Sequence, residues 1–91
     1  MPLIHYSIRV NGIVQGVGFR YATQREALKL GIKGAVRNED DGAVAIEAEG
    51  ERAALNRFRD WCRQGPASAE VTTFSCDEAP VEGYSSFEIT A

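Results

Sequence analysis

The spacing of apolar residues along this chain switches between two periods, and the order of those periods constrains the fold more than any other feature. Apolar side chains occupy every second position from Ile4 to Val10, which is typical of a strand with one buried face. We therefore predict a first strand over residues 3–13. The same reasoning predicts strands over 33–38, 43–49 and Val71–Asp77, and a short final strand at Phe87 and Ile89.

Two other segments have helical spacing. One apolar stripe predicts a helix over residues 20–30, which Gly31 is suited to end; its members are Phe19, Thr23, Ala27 and Leu30. A second stripe predicts a helix over residues 51–63, which Gly65 and Pro66 end; its members are Ala54, Leu55, Phe58, Trp61 and Cys62. Between the strands at 33–38 and 43–49, Asp41-Gly42 is a strong hairpin signal.

The predicted order is β-α-β-β-α-β with a short tail. This order is typical of an α+β, ferredoxin-like sandwich, in which an antiparallel sheet has both helices packed on one face. A chain of 91 residues has the length of one domain, so we expect residues 1–91 to form a single domain. The fold class alone does not identify a function, because it supports many activities.

Charge and hydropathy argue against several functional classes. The net charge of −3 does not suit a nucleic-acid-binding protein, which usually presents a basic face. No apolar run is long enough to cross a bilayer, and the first residues lack the pattern of a signal peptide, so we expect a cytoplasmic protein without a membrane partner.

Cys62 and Cys76 fit no zinc motif. We expect two small buried thiols, and a bridge between them stays open if helix and strand bring them close.

The segment between the first strand and the first helix predicts an anion site. Its sequence is Gln15-Gly16-Val17-Gly18-Phe19-Arg20. Amide N–H groups at a helix N-terminus lack partners, and the helix dipole favours an anion there. Two glycines let the amides curl into a nest, and Arg20 adds a planar fork of donors. The alternative is a tight turn with a surface arginine. The segment lacks the Lys-Ser/Thr ending of a Walker A loop and the third glycine of a dinucleotide fingerprint.

Two segments resemble the signatures of the acylphosphatase family. Residues Asn11–Arg20 resemble its G-x-V-Q-G-V-x-F-R signature, and Gly31–Asn38 together with Asp41–Val44 resemble its second signature. The resemblance extends over nearly the whole chain. It implies an enzyme without metal or other cofactor that hydrolyses acyl phosphates, the mixed anhydrides of a carboxylic acid and phosphate. We expect a monomer, which is usual for a chain of this size.

The same resemblance implies residue roles. Arg20 matches the catalytic arginine that binds phosphate, and Asn38 matches the asparagine that positions the attacking water. The backbone amides of Gln15, Gly16, Val17, Gly18, Phe19 and Arg20 match the phosphate cradle. Two departures from the family pattern lead to further expectations. Gly18 should loosen the loop, and the charge of Glu39 should weaken phosphate binding by repulsion.

Other machinery finds little support in the sequence. His5 is expected at the surface on the polar face of the first strand, so neither a Ser–His nor a Cys–His nucleophile pair is convincing. No group of histidine, cysteine and acidic residues has metal-ligand spacing, and Asp40-Asp41 is typical of a turn. Two alternative functions have requirements of their own. An RNA-recognition domain would need exposed aromatic residues on its central strands, and a catalytically weak domain would bind phosphate or carbamoyl phosphate without efficient turnover.

Overall fold

The computed structural model describes residues 2–90, and its elements follow the predicted order. Their bounds differ from the sequence-based prediction by no more than two residues at either end. The elements are β1 (Ile4–Ile13), α1 (Phe19–Leu30), β2 (Lys33–Asn38), β3 (Val44–Gly50), α2 (Arg52–Gln64), β4 (Glu70–Ala79) and β5 (Phe87–Ile89).

The strands form one sheet in the order β4-β1-β3-β2-β5. β1 pairs antiparallel with β3 and β4, and β2 pairs antiparallel with β3. The predicted ferredoxin-like sandwich is confirmed. The short final strand adds one parallel pair, because β5 runs alongside β2 in the same direction at the sheet edge. Neither helix among residues 2–90 is both long enough and apolar enough to cross a membrane.

The hydrophobic core lies between one sheet face and the two helices. Alternate residues of the central strands supply its sheet side, namely Tyr6, Ile8, Val10, Val44, Ile46 and Ala48. The helices supply Phe19, Ala27, Leu55, Phe58 and Cys62. Cys62 is fully buried and Cys76 partly buried, and both are free thiols. Burial raises the pKa of the Cys62 thiol, which suits its role as a small apolar side chain.

The opposite sheet face contains the main error of the sequence-based prediction. His5, expected at the surface, is fully buried. Its Nδ1 lies 2.7 Å from Oε2 of Glu49, and its Nε2 lies 2.6 Å from Oε1 of Glu47. Glu49 also accepts hydrogen bonds from the backbone amides of residues 82–84, so this segment covers the end of the polar face. Strand alternation predicts the face that a residue occupies, but not what covers that face.

Candidate active site

The segment between β1 and α1 is anchored in the core at both ends. Val14 and Phe19 are buried, and Val17 packs partly against the core. Gly16 and Gly18 are exposed between them. We call residues Gln15–Arg20 the phosphate loop, after the role that the sequence predicts for them. The looseness that the sequence predicts at Gly18, between these buried ends, stays a prediction.

The backbone of the phosphate loop has the geometry of an anion nest. Gly16 has φ 76° and Gly18 has φ 78°, both in the left-handed region that favours glycine. Val17 lies between them and has a negative φ, as do all residues other than glycine within residues 2–90. Alternating signs of φ turn successive N–H groups toward one side.

The amides of the phosphate loop are available to a ligand. The helix hydrogen bonds begin where Ala22 N donates to Gly18 O at 3.0 Å, so the preceding amides have no helical acceptor. Within residues 2–90, no amide from Gly16 to Arg20 donates to another backbone group outside the regular elements. The guanidinium of Arg20, in the first turn of α1, also lacks an ion pair there. An anion would therefore meet several unused donors.

Asn38 lies at the same end of the sheet. It ends β2 and pairs with Val44, which in turn pairs with Val10 on β1, three residues before that strand ends at Ile13. Its Oδ1 atom is buried and has no hydrogen-bond partner in the described part of the chain. A buried acceptor without a donor costs about 1–3 kcal/mol. A water or ligand that donates to Oδ1 would remove this cost, so Asn38 is suited to hold one.

The side chain of Gln15 joins the phosphate loop to the β2–β3 turn, residues 39–43. Its Nε2 donates to Glu39 O at 2.8 Å and to Ala43 O at 2.9 Å. This link fixes the loop beside the residue that follows Asn38. The sequence indicated only a role for the Gln15 backbone amide. No local pattern could have indicated the side-chain link, because its acceptors lie more than twenty residues away.

Arginine side chains pair with the acidic residues of the β2–β3 turn. Glu39 accepts hydrogen bonds from Arg37 Nε at 3.0 Å and Arg9 Nη1 at 3.2 Å, and these bonds lower its pKa. The pKa of Asp41 is lowered by a hydrogen bond from the Ala43 amide and by Arg9. Both carboxyl groups are therefore ionised and weakly basic. The pairing offsets the charge of Glu39, which reduces the repulsion of phosphate predicted from the sequence.

One group of side chains among residues 2–90 brings potential metal ligands together. It lies at the end of β1 that is away from the phosphate loop. The ligand atoms of His5, Glu47 and Glu82 lie within 4.8 Å of one another. Sequence spacing gave no sign of this group, because its members come from three separate segments. Both ring nitrogens of His5 face carboxylates, so the structure is that of an imidazolium ion pair. A strand rises about 3.3 Å per residue, which places His5 on the order of 25 Å from the phosphate loop.

The end of the sheet beside the phosphate loop therefore combines three chemical features. Within residues 2–90, it offers unused backbone donors, an unpaired guanidinium and a buried amide oxygen suited to a water. Such an arrangement can grip a dianion and orient a nucleophile without a basic side chain.

Known proteins similar to this chain share its fold along nearly its whole length. A family model described as acylphosphatase matches residues 6–89. The acylphosphatase of Thermotoga maritima is 56% identical over 82 residues, which cover 90% of this chain and 91% of that protein. The crystal structure of acylphosphatase from Bacillus subtilis matches with a TM-score of 0.93 at 44% identity, covering 97% of this chain and 99% of that one. An acylphosphatase structure from Coxiella burnetii also matches with a TM-score of 0.93, at 34% identity, covering 97% of this chain and 93% of that one.

Proposed function

Because the chain belongs to the acylphosphatase family, we propose that it hydrolyses acyl phosphates to a carboxylate and inorganic phosphate. One observation supports this function most strongly. The phosphate-loop donors and the Oδ1 of Asn38, which have no partner among residues 2–90, lie at the same end of the sheet. Hydrolysis at phosphorus needs groups that bind the phosphate and a group that positions the attacking water in the same site.

The phosphate loop binds the phosphoryl group. Its amides donate to the phosphate oxygens, and the N-terminus of α1 adds its favourable dipole. Arg20 donates through two nitrogens of its planar guanidinium, which matches the spacing of two phosphate oxygens. These donors also meet the charge that develops on the equatorial oxygens during transfer. A donor aimed at developing charge is typically worth about 2.7–4 kcal/mol.

Asn38 positions the attacking water. Its Oδ1 accepts one hydrogen of the water, which directs an oxygen lone pair toward phosphorus. The water oxygen attacks phosphorus in line with the bond to the acyl oxygen. That bond breaks, and its electron pair leaves with the carboxylate. A carboxylate is stable as an anion, so its departure needs no acid.

The substrate itself takes the proton of the attacking water. A side-chain amide has no useful basicity. The nearby carboxylates Glu39 and Asp41 have lowered pKa values and are paired with Arg9, so they are weak bases. The buried His5 lies at the far end of β1, between Glu47 and Glu49. A non-bridging phosphate oxygen is therefore the proton acceptor. We therefore predict that kcat, measured against pH, shows no titration of an enzyme base near neutrality.

The proposed function is tested by hydrolysis of benzoyl phosphate in the presence of EDTA. The expected result is turnover that survives chelation and that stops in Arg20→Ala. Arg25→Ala is the matched control, since Arg25 is an exposed arginine on the same helix. Arg20→Lys should restore only part of the activity, because an ammonium lacks the planar fork. In water labelled with heavy oxygen, the label should enter phosphate and not benzoate.

A folded wild-type protein without turnover would contradict the proposal. If that protein still bound inorganic phosphate, the alternative of a catalytically weak phosphate-binding domain would be favoured. Label in the benzoate would place the attack at the carbonyl carbon instead of phosphorus. We also propose a monomer, because one chain supplies the phosphate loop, Arg20 and Asn38. The cytoplasmic location predicted from the sequence stays a proposal. Light scattering of the purified protein tests the oligomeric state.

A further inference from the structure

The segment that joins α2 to β4 packs against the phosphate loop. We call residues 65–69 the α2–β4 connection. Gly65 has φ 70°, and a Cβ at this position would lie 2.4 Å from Cε2 of Phe19. Glycine therefore lets the connection approach the buried ring that anchors the end of the loop. A turn closed by Ala69 N donating to Pro66 O, at 3.0 Å, then brings Ser68 to the loop.

Ser68 makes a hydrogen bond to the phosphate loop that no sequence pattern indicated. Its Oγ donates to the carbonyl oxygen of Val17 at 2.7 Å, across fifty-one positions of sequence. All peptide bonds within residues 2–90 are trans. In a planar trans peptide, the carbonyl and the following N–H point in opposite directions. Holding Val17 O toward the connection therefore turns the Gly18 N–H to the opposite side of the loop.

Gly18 is the position where such a restraint has an effect. Gly18 is exposed and a Cβ there would meet nothing within 4 Å, so no contact on that side holds its backbone. Glycine also populates both signs of φ, which permits rotation of the peptide between Val17 and Gly18. Such a rotation would move one donor out of the nest and place a carbonyl oxygen there. That oxygen would repel a phosphate.

We propose that Ser68 is a positioning residue for phosphate binding, which it serves by holding the Val17–Gly18 peptide with the Gly18 N–H in the nest. This inference rests on the proposed function. Ser68 does not touch the substrate, and it acts only through the orientation of one backbone donor. Its loss should therefore weaken binding of the phosphoryl group and leave the water held by Asn38 in place.

The test compares Ser68→Ala with the control Ser85→Ala. Ser85 is also an exposed serine, but its side chain makes no hydrogen bond among residues 2–90. A hydrogen bond contributes about 0.5–1.5 kcal/mol net, so KM for benzoyl phosphate and Ki for inorganic phosphate should rise about two- to tenfold in Ser68→Ala. The value of kcat should change less. Ser68→Thr retains the hydroxyl and should restore both constants.

A spectroscopic measurement separates positioning from general stability. The amide resonance of Gly18 should shift on titration with inorganic phosphate in the wild type, and shift less in Ser68→Ala. If both variants match the wild type in KM, Ki and the Gly18 shift, the inference about Ser68 is wrong while the proposed function stands. If the wild type neither binds phosphate nor hydrolyses the substrate, the proposed function itself fails.

Discussion

Replacement of Glu49 by glutamine probes the buried ion pair at the far end of β1. The Glu49 side chain is 2% exposed, contacts His5, and accepts hydrogen bonds from the amides of residues 82–84. Burial alone would raise its pKa, but the His5 contact and the three backbone donors outweigh burial and lower the pKa to about 2. Glutamine has nearly the same volume, so this change removes the charge and little of the packing.

The size of the effect follows from the pKa. A decrease from the ordinary value of 4.5 to about 2 corresponds to about 3 kcal/mol of folding stability. Because the folded-state pKa is the lower one, this stabilisation is fully present above pH 4.5 and is lost as the pH falls toward 2. Removal of one partner from a buried ion pair costs about 3–5 kcal/mol, which agrees in scale. We therefore expect Glu49→Gln to be destabilised by about 3 kcal/mol near pH 6.

His5 sets the opposite limit of this pH range. Burial lowers its pKa, but the hydrogen bonds to Glu49 and Glu47 outweigh burial and raise the pKa above the ordinary 6.5. Its contribution is therefore complete below pH 6.5 and is lost as the pH rises through the folded-state value. The pair together predicts a wild-type stability maximum between pH 4.5 and 6.5. In Glu49→Gln, the loss of stability at acid pH should be shallower.

Urea denaturation from about pH 3 to about pH 9 measures these free energies of unfolding. The fluorescence of Trp61 reports the transition, because its ring lies 6.0 Å from that of Phe19 in the core. Glu47→Gln is the control, since Glu47 contacts the same histidine but is 20% exposed, and its loss should be smaller. Equal stability of Glu49→Gln and wild type near pH 6, or an unchanged acid slope, would refute this reasoning.

Two further substitutions test the contacts that hold the phosphate loop. In Gln15→Glu, an acceptor replaces the amide donor that bridges the two ends of the β2–β3 turn, so kcat/KM should fall about tenfold or more. The charge-matched control Gln64→Glu should leave kcat/KM unchanged. Equal kcat/KM in both variants would contradict the bridging role. Gly65→Ala places a methyl group against Phe19, whereas Gly83→Ala has a similar positive φ and open space. Urea denaturation should show a loss for Gly65→Ala that exceeds the loss for Gly83→Ala by about 1 kcal/mol or more, and equal losses would contradict the close approach.

Much of the fold could be predicted from the sequence because its determinants are local. The alternation from Ile4 to Val10 and the helical stripe from Phe19 to Leu30 are visible in short windows, and they gave element bounds within one or two residues. The turn geometry at Gly16 and Gly18 is local too. The order of these elements restricts the topology, because few arrangements bury every apolar stripe.

The contacts that the sequence did not predict join residues far apart along the chain. His5 is buried because the segment at 82–84 covers it, and the Gln15 amide and the Ser68 hydroxyl bind backbone groups of distant turns. A backbone acceptor leaves no trace in residue type, since every residue has a carbonyl group. Side chains that act on distant backbone atoms therefore become visible only in three dimensions.

The kinetics of Asn38→Ala test the central claim most directly. If Asn38 positions the attacking water and the phosphate loop binds the phosphoryl group, kcat for benzoyl phosphate should fall about 100-fold or more, while Ki for inorganic phosphate stays within about twofold of the wild type. Arg20→Ala should raise that Ki strongly. A wild-type kcat in a folded Asn38→Ala protein would contradict the account.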